Sequence, residues 1–227
     1  MRCVSVKLVF GVAALAAAPV LAQGAAPGVP VSVPNRMQPP TTKAWTVTIG
    51  FAPIAAPAWQ GSKTTAFSIF PDLRVNYRDV VFASIPDGLG WNAVNQDGWK
   101  LGPLVKFRFA REQDTGGSPF LISGKSDALL GLGNVGAAGE AGGFAQVHIW
   151  NRKLRARAEL RYGFGGYDGA IADTLLSYSG RYKFIGYSFG ARATFAGPGF
   201  TNAYFGVDPV QSANSGLPVY KAGGGVV

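Results

Sequence analysis

Cysteine is almost missing from this chain. Cys3 is the one cysteine in 227 residues, and it precedes an apolar run instead of following it. Neither a disulfide framework, nor thiolate chemistry, nor a lipoprotein-type anchor is expected. Histidine is as scarce, with His148 alone. A single imidazole leaves no ligand set for a transition-metal ion. No local pattern ties His148 to Ser179, Ser188 or Glu159 as a catalytic set. Charged residues are only 15% of the chain. Beyond Ala22 no run reaches the roughly 18 apolar residues of a membrane-crossing helix. The glycine runs Gly163-Phe164-Gly165-Gly166 and Gly223-Gly224-Gly225 lack the order of a phosphate-binding loop, and no calcium loop is present; the runs suit strand bends or tight turns. The acids Asp87, Asp97, Glu112 and Asp114 fall in expected loops with no spacing that sets up glycoside chemistry. The expectation is a non-enzyme with no catalytic, metal or cofactor site.

What the chain does have begins with an export signal. Arg2 and Lys7 precede the apolar stretch Leu8–Val20, and Val20-Leu21-Ala22 carries short side chains where a signal peptidase reads. Residues 1–22 therefore read as a cleaved signal peptide, cut between Ala22 and Gln23. Residues 23–44, with Pro27, Pro30, Pro34, Pro39 and Pro40, read as a flexible or extended leader. Residues 45–227 are of one-domain length.

In that domain the hydrophobic period is 2. Trp45, Val47, Ile49 and Phe51 alternate with Thr46, Thr48 and Gly50. Leu154, Ala156, Ala158, Leu160 and Tyr162 alternate with Arg155, Arg157, Glu159 and Arg161. About nine strands are expected, near 45–53, 63–70 running on to 77, 80–85, 101–110, 141–150, 153–164, 170–182, 185–196 and 201–207. Alternation alone fits a soluble barrel or sandwich with apolar faces inward, and equally a membrane barrel with them outward. Strands long enough to cross a bilayer, aromatic residues near strand ends, and small-residue faces such as Ala191 and Ala193 favour the second. The fold class expected is all-β: an up-and-down antiparallel transmembrane β-barrel.

Its polar strand faces are basic. Of 21 basic residues two lie in the signal, which leaves 19 against 12 acidic. Lys106, Arg108, Arg155, Arg157, Arg161 and Arg192 form the candidate lumen cluster, with Arg181 and Lys183 on the same pattern. It reads either as a site for an anionic solute or polymer, or as charge that pairs with Glu159 and loop acids and plugs the barrel, the reading favoured. Charge spread over the strands of an exported protein does not suit nucleic acid. A wet lumen would tolerate Arg157→Glu, whereas lipid-facing Leu160 would not tolerate arginine. The longest connection, 111–140, is the candidate partner-docking segment, with Arg111, Glu112, Asp114, Gly131 and Asn134 as its marked residues. With a periplasmic N-terminus and four strands before it, it would emerge on the periplasmic side.

Several stretches in fixed order resemble the MipA/OmpV family of outer-membrane proteins. They are Phe70-Pro71-Asp72-Leu73, Phe82 to Gly90, Leu101-Gly102-Pro103-Leu104, Gly131 to Val135, Glu140 to Phe144, Gly190 to Ala196, Tyr204 to Val207, and Gly216 to Tyr220. The resemblance implies an outer-membrane barrel and, for the namesake, a scaffold joining a lytic transglycosylase to a murein synthase. Other relatives are adhesins or antigens, and a small pore with a basic lumen is a further alternative. The family offers no catalytic residues to carry over. It also implies further strands and a terminal aromatic strand beyond Val227, so the chain reads as C-terminally truncated and its barrel as one that should not close well. The mature protein is expected to fractionate with the outer membrane in Gram-negative cells and to start near Gln23. N-terminal sequencing of the membrane fraction checks both, and recovery in detergent-free periplasm would contradict them.

Overall fold

The computed structural model describes residues 5–8, 44–116, 119–183 and 185–227. The expected cleavage site at Ala22–Gln23 and nearly all of the expected leader lie outside the described residues. In chain order the elements are β1 (Ser5–Leu8), β2 (Trp45–Pro57), β3 (Thr65–Tyr77), β4 (Val81–Ser84), β5 (Gly88–Trp91), β6 (Val94–Gln96), β7 (Trp99–Arg108), β8 (Leu121–Ser123), β9 (Ala138–Ile149), β10 (Leu154–Gly165), β11 (Gly169–Tyr182), β12 (Ile185–Ala196), α1 (Pro198–Phe205), α2 (Pro209–Ser215) and β13 (Gly225–Val226). No helix among the described residues is long and apolar enough to cross a membrane.

Nine strands form a continuous antiparallel, up-and-down wall in the order β2-β3-β4-β5-β7-β9-β10-β11-β12. β1, from the stretch read as the signal, lies parallel to Thr46–Ile49 on the outer edge of β2. β13 pairs two residues of β12. The path is open: β2 and β12 are not paired with each other among the described residues. Strands β7 and β9 to β12 are 10 to 14 residues long, enough for the roughly 9–11 residues of a tilted bilayer crossing.

Burial decides what alternation left open. On β10, Leu160 is 65% exposed while its neighbour Arg161 is 2% exposed. On β7, Phe107 is 62% exposed and Arg108 3%. The apolar set faces out and the charged set faces in, which inverts a soluble core and has the polarity of a membrane barrel wall. A water-soluble sheet of this size would do the opposite, since apolar area removed from water is its main source of stability.

Two ends can be told apart. The Trp45 end has short turns, such as residues 78–80 and 150–153. The Pro57 end carries the connections 58–64, 109–137 and 166–168 together with α1 and α2. The wall is not uniform in height. β4 and β5 turn back halfway along β3, with Ser84 opposite Arg74 and Leu89 opposite Val105. Gly88 sits in that turn with φ +80°, and a Cβ there would strike the Val105 carbonyl oxygen. Above it β8 fills the gap by pairing with Phe67 and Ser68 of β3. The Phe120 ring bridges those of Phe70 and Phe109 at 5.0 and 5.6 Å.

The wall has the expected nine strands, but not the same nine. β5 was not anticipated, and the strand expected over 201–207 is instead α1 and the turn after it. Phe200 and Tyr204 lie one helical turn apart and are both buried, so the period there is 3.6, not 2. Pro198 opens α1 at a position that lacks an intrahelical acceptor anyway. α2 follows with a capping box between Asp208 and Gln211 and ends at left-handed Gly216, as such residues favour.

Leu160→Arg is expected to reduce the fraction of folded, heat-modifiable protein, because a cation at mid-depth on the lipid face costs about 2–4 kcal/mol. Undiminished folding of that variant in detergent or vesicles would show that the two faces have been assigned the wrong way round.

Candidate functional site: a charged interior closed at one end

Even-numbered residues of β7 and β9 and odd-numbered residues of β10 and β11 point inward, so strand register brings their charges together. Arg161 is the hub. Its Nε lies 2.8 Å from Glu140 Oε2, and its two Nη atoms pair with Glu159 and Asp173. Glu140 also accepts from Arg108 Nε at 2.6 Å and from the Tyr167 hydroxyl at 2.7 Å. Glu159 takes Lys106 Nζ at 2.8 Å and Arg157 Nε at 2.7 Å. Asp173 takes Arg192 Nη2 at 2.9 Å and the Thr194 hydroxyl at 2.5 Å. Arg155 Nε donates to Gln146 Oε1 at 2.7 Å and approaches Asp87 only at 4.0 Å. Arg157 lies over the Phe144 ring, 4.2 Å from its centroid. All six residues of the expected basic cluster are thus brought to one interior. Their counter-charges are Glu159, named from the sequence, and the wall residues Glu140 and Asp173, where loop acids were expected; Asp87 in the β4–β5 turn is a loop acid that does approach them. Arg108 Nη1, Arg155 Nη1 and Arg157 Nη2 have no hydrogen-bond partner among the described residues.

The Pro57 end is closed by a small apolar core of Val135, Ala138, Tyr167, Ile171, Ala196, Phe200 and Tyr204. The Tyr167 and Phe200 rings meet edge-on at 4.9 Å. Arg108 reaches up over both of them, at 5.8 and 5.1 Å. Burial and the Glu140 carboxylate push the Tyr167 phenol up, which keeps it a donor to Glu140 at neutral pH.

Segment 111–140, the candidate partner-docking segment, is pinned to this cap. Arg111 is buried, pairs with Val135 through the backbone, and donates from Nη1 to the Tyr204 carbonyl at 2.6 Å. The Gln113 side-chain oxygen accepts from the backbone amides of Gly131 and Gly133 at 2.9 and 3.1 Å, and the Gln113 backbone N–H donates to Asn134 Oδ1. Gln211 of α2 donates to the Leu132 carbonyl at 2.6 Å. Glu112 and Asp114 are exposed. Five wall strands precede the segment, not four, so it leaves the wall at the end opposite Trp45. The count of four strands on which a periplasmic placement rested is therefore not the one observed.

A family model described as MltA-interacting protein MipA matches residues 49–227. The chain belongs to the MipA family. No curated protein and no solved structure matches it. The matched region of this MipA-family chain takes in the wall from the middle of β2 onward, the whole ion-pair network and both helices.

A second polar cluster, missed in the sequence, lies inside the Trp45 mouth. Asp79 pairs with Lys100 Nζ at 2.5 Å, and its backbone carbonyl accepts from Asn92 Nδ2 at 2.7 Å and Asn95 Nδ2 at 2.8 Å. His148 faces the same interior, half-buried, with Nε2 3.5 Å from Gln146 Nε2. Glu159 is already engaged by three cations, Lys106, Arg157 and Arg161. No group of three or more His, Cys, Asp or Glu residues among the described residues is arranged to hold a metal.

Arg157 is 7% exposed and paired, so Arg157→Glu is expected to destabilise the fold where a wet lumen would have tolerated it. The interior around it is packed, and a carboxylate there would face Glu159. The strongest effect is expected at the hub. Arg161→Met strips three buried carboxylates of their shared cation, at about 3–5 kcal/mol. Urea titration of the folded band should show a clear loss of stability, whereas the exposed Lys63→Met should leave the midpoint unmoved.

Proposed function

We propose that this MipA-family protein is a non-enzymatic outer-membrane scaffold that recruits a periplasmic lytic transglycosylase and, through it, a murein synthase. The observation that carries this reading is the family match over residues 49–227, whose description names an interaction with MltA, a lytic transglycosylase. The geometry supports a scaffold over a conducting pore. Its interior is filled by interlocked ion pairs and closed by α1, which leaves side chains where a channel would need water. Short turns mark the periplasmic side of bacterial barrels, so a periplasmic partner would meet the Trp45 mouth, where Asp79, Asn92, Asn95, Lys100 and His148 present donors and acceptors.

Purified, folded protein immobilised in detergent should retain a purified lytic transglycosylase of the MltA type, and Asp79→Ala with Lys100→Ala should weaken that retention. No retention by the unaltered protein would refute the scaffold. Discrete single-channel currents in planar bilayers would favour the pore instead. Peptidoglycan turnover lost in His148→Ala would overturn the non-enzymatic reading.

A further inference from the structure

The two ends of the wall differ in chemistry. Four of the five tryptophans, Trp45, Trp91, Trp99 and Trp150, lie at the Trp45 end, between 42% and 71% exposed. Trp59 is at the other end and donates to Ser126 Oγ at 3.3 Å. The exposed rings nearer the Pro57 end are mainly phenylalanine: Phe67, Phe107, Phe164 and Phe195. Charge divides the same way. Among the described residues, the turns at the Trp45 end expose four bases, Arg78, Arg152, Lys153 and Lys183, against one acid, Asp97. The connections at the Pro57 end expose three bases, Lys63, Lys125 and Lys221, against five acids, Glu112, Asp114, Asp127, Asp168 and Asp208.

The rim bases are tied to the rim rings. The Arg78 guanidinium lies 5.3 Å from the centre of the Tyr77 ring, and the Lys183 ammonium 5.6 Å from that of Tyr182. Arg152 is shared with Asp97 at 2.7 Å. Arg78, Asp79, Trp150, Asn151, Arg152 and Lys183 all have φ between 51° and 66°. That left-handed backbone favours Gly or Asn, so long cations and a tryptophan are held there against local preference.

Indole and phenol groups settle where hydrocarbon meets headgroups, with the ring in the apolar layer and the polar atom outside it. Lysine and arginine stems lie along the same layer and place their charge at headgroup depth. We propose that the Trp45 end is a binding rim for anionic glycerophospholipid headgroups, with Arg78, Arg152, Lys153 and Lys183 contacting the phosphates and the four tryptophans setting the depth. The proposal rests on the barrel reading. An acidic cell-wall polymer would meet bases that project beyond the rings, whereas two of these four lie against them.

The test uses the full chain folded into vesicles of phosphatidylcholine alone or with phosphatidylglycerol. Phosphatidylglycerol brominated near the top of its acyl chains should quench the tryptophan emission more than equally brominated phosphatidylcholine. The expected preference is roughly fivefold, the equivalent of one engaged base at about 1 kcal/mol, and it should fall as salt is raised. The combined variant Arg78→Gln, Arg152→Gln, Lys153→Gln and Lys183→Gln should lose the preference while remaining protease-resistant in the vesicle. Lys63→Gln with Lys125→Gln and Lys221→Gln should keep it. Equal quenching by both lipids, a preference that survives in the rim variant, or its removal by soluble murein fragments would overturn the proposal. Failure to insert into either vesicle would overturn the barrel reading and the rim with it; insertion without lipid preference overturns the rim alone.

Discussion

The rest of this structure depends on one arrangement, the Arg161 guanidinium held among Glu140, Glu159 and Asp173. The outside of the wall is apolar, so the inside is where every charge on the strands must go. Burying an unpaired charge is prohibitive, and burying a hydrogen-bonded pair is merely costly. The wall accepts that cost by distributing each carboxylate over two or three cations. Glu140 joins Arg161 to Arg108 and Tyr167, and through them to the apolar cap; Asp173 joins it to Arg192 on β12. The network therefore works as a cross-brace between strands that hydrogen-bond only to their neighbours.

Much of this was legible in the sequence. The strand at 185–196 agrees with β12 residue for residue, and the polar positions of β7 and β10 were assigned to the face they occupy. Alternation could not say which face turns inward, because a soluble and a membrane sheet share one period; only the burial of Arg161 against the exposure of Leu160 decides it. The C-terminal helices went unread because Ala203, Phe205 and Val207 also fit a period of two. The signal for a helix was present in the Pro198 start, in the Phe200–Tyr204 spacing, and in the Asp208-Pro209-Val210-Gln211 cap. β5 is four residues with two glycines, too short and too plain to register as a strand. The mouth cluster was missed because Asp79, Asn92 and Lys100 are distant in sequence and converge only through the β4–β7 hairpins.

The segment 111–140 is a long connection held at several points. In the structure it patches the wall above a half-height hairpin, and one glutamine side chain holds two of its backbone amides. Gly131, at φ +87°, lets the chain pass against the backbone of Asn214. The segment is part of the scaffold that keeps the charged interior shut. Its exposed acids, Glu112, Asp114 and Asp127, face solvent.

The origin of the three carboxylates around Arg161 bears on how the chain assembles. Glu159 is on the same strand, Glu140 on the strand before, and Asp173 on the strand after. The group is complete as soon as three consecutive strands have zipped together, without waiting for any contact distant in sequence. Closing nearby segments first is fast and entropically cheap. A nascent β9–β10–β11 meander can thus pair Arg161 with its three carboxylates in water before it meets the apolar layer, while Arg155 waits for Asp87 of the β4–β5 turn.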